Sequence, residues 1–383
     1  MVAVKRLVLI GAGHAHAQVL KDWITLPVPG TELVVVSPTA LAPYSGMVPG
    51  WLAGRYRFDE ICIDFAALAS AAGAQLVIDE LATMDPNRRR VQLRGGASFG
   101  FDVLSLNVGS TLSPPTPAQG GARVLSLRPL GGLRKAWEAL LADPSVTATD
   151  TPLRVTAVGG GAAGVEAVLA AVVHLRSLRP SRPVRGALLT RGDTLLPGMA
   201  PAARRSARAA LAAAGVTTQL GTAYTDSVAA SCDLLLWATG ADAHAWQRDC
   251  GLAVGPTGFI RVDERLRSIS HPQVHAVGDC AEWAEPLPKA GVYAVRMGPV
   301  LSRNLRAALG AGKAVAYTPQ HRFLALLATA DGSAIASWGR WSLCGRWVWR
   351  WKDRIDREFL RRFAVSRSPH RSSSPTPLPG DSA

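Results

Sequence analysis

Arg154-Val155-Thr156-Ala157-Val158-Gly159-Gly160-Gly161-Ala162-Ala163-Gly164-Val165-Glu166 is the stretch on which the fold turns. A short β-type apolar run enters a glycine turn and leaves as a helical pattern over residues 165–175. Gly186-Ala187-Leu188-Leu189-Thr190 then reads as the next strand. Gly159, Gly161 and Gly164 complete GxGxxG between a strand and a helix, the context that lifts this motif above background. The first glycine permits the turn, the second admits a pyrophosphate close to backbone, and the third allows tight helix–strand packing. Free N–H groups and the helix dipole favour an anion at that helix N-terminus. Glu166 is either a contact beside a nicotinamide or a first-turn acid favoured by the dipole.

The same signal occurs about 148 residues earlier in weaker form. A β-type run from Lys5 to Ile10 meets Gly11-Ala12-Gly13-His14-Ala15-His16, with His where the third glycine belongs, and Leu33-Val34-Val35-Val36 follows a helical stretch. Two βαβ units predict an α/β protein with two Rossmann-like, doubly wound domains. His14 and His16 have no Cys, His or carboxylate cluster nearby to complete a metal site, and position 16 suits flavin-side or packing work. Two look-alike strand ends, Asp102-Val103-Leu104-Ser105-Leu106-Asn107-Val108-Gly109 and Asp233-Leu234-Leu235-Leu236-Trp237-Ala238-Thr239-Gly240, place glycine where backbone passes close to a ligand. The second strand of each unit lacks the acid that often holds an adenosine ribose. Ser37 stands there in one and Thr190-Arg191 in the other, which leans toward tolerating a 2′-phosphate and so toward NADPH. In Ala276-Val277-Gly278-Asp279-Cys280-Ala281, an Asp after a strand and a Gly can bind a hydroxylated chain, worth roughly 1.5–3 kcal/mol when charge-assisted.

Residues 1–112 and 263–316 are expected to form one discontinuous domain and residues 113–262 the second, with the proline-rich 112–117 as a hinge. Residues 317–365 read as a smaller α+β unit and residues 366–383 as a disordered tail. A chain of 383 residues accommodates this. No apolar run reaches the roughly 18 residues of a membrane-spanning helix, and the N-terminus lacks the pattern of a secretory signal, so a cytoplasmic protein is expected. Five scattered cysteines without CxxC argue against a zinc site and a disulfide framework. The net charge of +14 does not indicate nucleic-acid binding, because much of it lies in one C-terminal segment.

In this order the pieces resemble the pyridine nucleotide-disulfide oxidoreductase superfamily over about residues 4–310, in the branch with type II NADH:quinone dehydrogenases and sulfide:quinone reductases. Gly11-Ala12-Gly13-His14-Ala15-His16, Pro43-Tyr44-Ser45-Gly46-Met47-Val48-Pro49-Gly50 and Pro288-Lys289-Ala290-Gly291-Val292-Tyr293-Ala294-Val295-Arg296 look more closely like flavoproteins fused to, or encoded beside, selenophosphate synthetase. The resemblance implies FAD against Gly11, Gly13, His14, Ala15, Ser37, Pro43, Ser45, Gly46, Gly109, Gly278, Asp279, Lys289 and Ala290. It implies NADH or NADPH against Gly159, Gly161, Ala162, Gly164, Glu166, Thr190, Arg191 and Gly240. Lys289, at a helix start, is the candidate flavin-side cation, either there or as a solvated surface lysine. No metal is expected. The superfamily's CxxxxC is absent: the corresponding loop, Pro43-Tyr44-Ser45-Gly46-Met47, has no cysteine. Cys280 reads as a structural thiol.

The resemblance implies hydride transfer from NAD(P)H to flavin and onward to a quinone or similar acceptor. Flavin chemistry on a sulfur or selenium species, and a non-catalytic partner module for selenophosphate synthetase, are the competing readings. Between Arg340 and Arg367 stand nine Lys or Arg against three Asp or Glu, and Trp338, Trp341, Trp347, Trp349 and Trp351 lie close by. Val348, Trp351, Ile355, Phe359 and Phe363 fall at helical spacing as one apolar stripe. Such a basic amphipathic helix suits either peripheral contact with an anionic membrane, on its inner face, or packing on the protein's own body or on a second copy in a homodimer.

Overall fold

A computed structural model describes residues 4–116, 121–147 and 150–365; the expected tail and the end of the proline-rich hinge lie outside the described residues. Five parallel strands form the first sheet, in the order Val274–Ala276, Val103–Leu106, Lys5–Ile10, Thr31–Ser37, Gln75–Ile78. Its central strand is apolar on both faces because both are covered: Leu7, Val8, Leu9 and Ile10 are all buried. Helices His14–Thr25 and Gly291–Ala308 pack on one face through Leu20, Leu301 and Leu305. A three-stranded antiparallel meander, Leu81–Asp85, Arg90–Leu93 and Ser98–Gly100, covers the other through Val91, Leu93 and Phe99. The two helices touch at Gly298, where a Cβ would come within 2.8 Å of Gln18 Cβ.

The second sheet repeats the architecture with five parallel strands: Arg123–Ser126, Leu234–Trp237, Leu153–Val158, Val184–Leu189, Val216–Gln219. Helix Ala162–Leu178 is apolar almost all round, since it lies between this sheet and the rest of the chain. The chain is an α/β protein of two Rossmann-type sheets with a small α+β unit behind them. Helix Gly291–Ala308 starts two residues after Lys289, with Ala290 as its N-cap.

The α+β unit consists of an antiparallel sheet, Ala325–Ala328, Ala334–Trp338 and Trp341–Gly345, followed by helix Arg346–Arg361. It is not a separate body. Leu327 and Ile335 belong to the core under the second sheet, while Phe359 and Phe363 belong to the core of the first. The single apolar stripe read from the sequence divides here. Val348, Phe359 and Phe363 are buried, with Lys352 and Asp356 between them on the inward face. Trp351 and Ile355 stay 38% exposed, on the neighbouring face with Trp347. Spacings of three and four residues are shared by two adjacent helical faces, and the inner one is occupied by a polar pair.

Phe359 packs its ring 4.4 Å from Tyr44 and 5.1 Å from Phe363, centroid to centroid. Phe359→Ala is expected to lower stability by about 3–5 kcal/mol in urea unfolding. Trp347→Ala, on the open face, is expected to change it by less than about 1 kcal/mol; equal losses would show that the helix is not docked in this register.

Candidate functional site

The glycine turns both lie at the carboxyl ends of their sheets, where doubly wound proteins bind nucleotides. Gly11 has φ of 98°, and a Cβ there would lie 2.5 Å from the Asn107 carbonyl oxygen. Gly13 is closed by the Asn107 side chain, whose Oδ1 a Cβ would meet at 2.1 Å. Asn107 is the residue the sequence reading missed. Its buried Oδ1 accepts from the N–H groups of Ala15 at 3.1 Å and His16 at 3.3 Å, and its Nδ2 donates to the Val277 carbonyl at 3.1 Å. One carboxamide thus ties the helix N-terminus to two strand ends. A polar residue closing a wholly buried strand was the available signal.

The second turn is built alike but left open. Gly159, φ 128°, would set a Cβ 2.2 Å from the Ala238 carbonyl oxygen, and Gly164 would set one 1.9 Å from Gly159 O. Nothing stands within 4 Å of the Cβ positions of Gly161, Gly240 or Gly109. That free space fits a dinucleotide backbone approaching the chain. His16 takes the place equivalent to Gly164 and explains why a third glycine is dispensable. Its Nδ1 lies 2.7 Å from Gly11 O and its Nε2 2.8 Å from Ser105 Oγ. Burial lowers its pKa to about 4, so a neutral ring serves as packing and hydrogen-bond bridge.

His14 stands at the mouth of the first turn, edge-on to Tyr44 at 5.4 Å and to Phe359 at 5.7 Å. Desolvation takes its pKa to about 4 as well. The loop carrying Pro43, Ser45 and Gly46 faces the N-terminus of helix Gly291–Ala308: a Cβ on Gly291 would lie 2.9 Å from Ser45 Oγ. Two helix N-termini, with Ala15 and Ala290 beside them, therefore converge on one loop. Ser37 spends its hydroxyl on the Thr39 carbonyl at 2.8 Å. Thr190 lies against Gly160, and Arg191 is exposed beside it.

Gly278 and Asp279 close the first pocket. Asp279 Oδ2 accepts from Ser110 Oγ at 3.3 Å and from Arg128 Nη1 at 2.6 Å. Arg128, also absent from the sequence reading, bonds Ser110 Oγ and the Lys289 carbonyl too, so a residue next to the second sheet holds the acid of the first. Lys289 turns its ammonium onto Ala281 O at 2.6 Å and over the Phe259 ring at 3.6 Å. Its backbone, rather than its charge, lines the Arg128 contact. Cys280 is buried, bonded to Leu106 O and Val277 O, with its thiol pushed up to about 11 by burial. All five cysteines are free thiols.

Between the pockets lies a second cluster. Glu166, one turn inside helix Ala162–Leu178 and so not the first-turn acid the sequence offered, accepts from the Ala328 N–H at 2.7 Å through Oε1. Desolvation raises its pKa to about 7 against the opposing pull of Lys352. Lys352 bonds the Gly46 carbonyl and Asp356, each at 2.5 Å. Burial raises the Asp356 pKa, and burial, with Asp356 adding to it, pushes the Tyr44 phenol up. No group of three or more potential metal ligands occurs among the described residues.

The sequence matches the family described as pyridine nucleotide-disulphide oxidoreductase over residues 5–298. An NADH dehydrogenase-like protein of Mycobacterium tuberculosis is 26% identical over 312 residues, 72% of each chain. The sulfide:quinone oxidoreductase of Aquifex aeolicus superposes with a TM-score of 0.74 at 15% identity, covering 94% of this chain and 91% of that one. NDH2 of Plasmodium falciparum, solved with NADH, gives 0.74 at 12% identity over 94% and 97%.

Two outcomes check this geometry. Asn107→Leu leaves two buried N–H groups without a partner and should cost about 2–4 kcal/mol in urea unfolding, with weaker flavin retention. Glu166 binds its proton more tightly folded than unfolded, so its contribution is intact below pH ~4.5 and is lost as pH rises through about 7. The parent should therefore lose about 2 kcal/mol of stability relative to Glu166→Gln between pH ~4.5 and ~7.5. A constant gap would mean an unperturbed carboxyl. With two glycine turns, an acid after the third strand end and a family match over residues 5–298, the chain belongs to the pyridine nucleotide-disulphide oxidoreductase family and uses FAD with NADH or NADPH.

Proposed function

We propose that this oxidoreductase passes electrons from NAD(P)H to a quinone or similar lipid-soluble acceptor while resting on an anionic membrane. The observation that carries the reading is the Glu166–Lys352–Asp356–Tyr44 cluster, set where the second glycine helix, the loop bearing Ser45 and Gly46, and the C-terminal helix meet. FAD, when bound, supplies hydride acceptance and onward electron transfer. The chain's residues bind and orient it: Gly11, Gly13 and Gly278 let Asn107 shape the turn, Gly109 leaves room beside it, and the helix at Gly291 presents free N–H groups to negative charge. Gly161 and Gly240 leave room for the nicotinamide dinucleotide.

A quinone takes up two protons as well as two electrons, so its site needs a proton store. Glu166, half protonated near pH 7, holds a proton on the oxygen that Ala328 leaves free, and Lys352 stands beside it. The domain limits read from the sequence, with residues 1–112 and 263–316 as the FAD domain and 113–262 as the NAD(P) domain, form part of this proposal. So does peripheral docking. Trp341, Trp338 and Trp347 are 83%, 60% and 53% exposed, and exposed Arg340, Arg346, Arg350 and Arg354 surround them. This patch lies on the outer side of the helix whose inner side touches the flavin-side loop. No helix among the described residues is long and apolar enough to cross a membrane. Chalcogen chemistry through protein thiols finds no support in buried Cys280.

Anaerobic mixing should bleach the flavin with NADH, NADPH or both, and a short-chain quinone should restore the colour. Reduction by sulfide alone, with neither nicotinamide effective, would overturn the reading. Replacing Trp338, Trp341 and Trp347 together by Ser should lower co-sedimentation with anionic liposomes by about tenfold or more without loss of soluble turnover. Undiminished sedimentation would remove the docking.

A further inference from the structure

The parallel strands of the first sheet have a second end, opposite the glycine turns. A cavity of about 430 Å³ opens there, lined near the starts of three of those strands by Lys5, Asp102 and His275. Arg89, Arg265 and Arg267 complete its charged wall. Four cations thus face the cavity against one lining carboxylate. A neighbouring hollow of about 380 Å³ shares Arg89 and Asp102 with it, so the cleft continues around the edge of the sheet.

The wall is already organised. Asn304 uses its whole carboxamide to fix it, donating to Arg265 O at 2.7 Å and Val315 O at 2.9 Å and accepting from the Val315 N–H at 2.7 Å. Asp263 orients Arg267 at 2.7 Å, and the Lys5 ammonium is held by Leu309 O at 3.0 Å. Arg89 has no acidic partner among the described residues, and Arg265 has only Glu264 at 3.9 Å.

His275 points to a ligand rather than to a solvated basic face. It is wholly buried, lines the cavity, and neither ring nitrogen has a hydrogen-bond partner. An orphaned imidazole in the interior is unfavourable unless something polar reaches it. One water occupies about 30 Å³, far less than this space.

We propose that this cavity is a binding site for a small phosphate-bearing molecule, separate from both glycine turns, with Arg89, Arg265 and Arg267 as the anion contacts and His275 as the buried hydrogen-bonding group. The four cations come from three separate chain segments, which suits a tetrahedral, many-oxygened anion. A planar carboxylate presents two oxygens in one plane and would leave part of the wall unused. A neutral imidazole offers one N–H to a phosphate oxygen and one lone pair to a hydroxyl. Asp102 is kept occupied by the Arg6 N–H at 2.7 Å.

The test uses the full-length flavin-loaded protein with saturating NAD⁺, so that both nucleotide pockets are filled. Calorimetric titration with inorganic phosphate and with glycerol 3-phosphate is expected to show saturable, one-to-one binding. Tighter binding of the ester would identify a phosphomonoester as the occupant, and tighter binding of the inorganic ion would identify free phosphate. The exposed pair Arg89→Ala and Arg265→Ala, combined, should weaken both by about tenfold or more. His275→Leu removes the orphan nitrogens, so it should melt no lower than the parent while losing several-fold in affinity. Unchanged affinity in both variants, a response matched by chloride at equal ionic strength, or binding of citrate with none of either phosphate would overturn the proposal.

Discussion

A lysine placed inside a protein must be met by oxygen, and Lys352 meets it from two directions. Its ammonium takes the Gly46 carbonyl of the flavin-side loop and the Asp356 carboxylate one turn along its own helix. Desolvating such a pair can cost as much as its attraction returns, so its value lies in register more than in stability. With the pair in place, helix Arg346–Arg361 can sit in one rotation only. Phe359 then falls against Tyr44 and His14, Phe363 enters the first core, and Trp347 and Trp351 are turned outward. The packing of the helix, the anchoring of the loop bearing Gly46 and the exposed aromatic face are three results of one buried contact.

The two nucleotide pockets depend on similar polar ties at smaller scale. Asn107 satisfies the first free N–H groups of its helix and a strand-end carbonyl together, so the turn is shaped without a ligand. Arg128 reaches from the second sheet to Asp279, making the acid of one pocket answer to the position of the other unit. Any change of angle between the sheets must stretch that 2.6 Å contact.

What the sequence disclosed follows from what local chemistry encodes. The glycine turns were legible because backbone geometry leaves no other residue for Gly11 or Gly159, whose Cβ positions fall on neighbouring carbonyls. Asp279 was legible through its place after a strand and a glycine. Arg128 was not, because one arginine ahead of a proline carries no periodic signal and its partners lie 18 and 151 residues away. The C-terminal stripe was half legible: apolar spacing located the helix but could not choose between adjacent faces, and Lys352 and Asp356 looked like solvated charge. Lys289 was singled out for its charge, yet that charge is spent on Ala281 and Phe259.

The comparison of His16 with Gly164 shows how far a motif can depart from its consensus when the physics is conserved. At Gly164 a side chain is excluded because the Gly159 carbonyl lies 1.9 Å from where its Cβ would begin. At His16 the matching carbonyl, that of Gly11, is a hydrogen-bond acceptor for the ring, and Ser105 takes the other nitrogen. The first turn has replaced close packing by a bridge that needs both a neutral imidazole and a hydroxyl on the facing strand. Ser105 in an otherwise apolar strand is therefore the partner that makes the irregular glycine motif workable. A histidine placed at position 164 would have no such hydroxyl to meet: Leu236 stands where the first unit has Ser105, and the Ala238 side chain already lies 3.4 Å from the site.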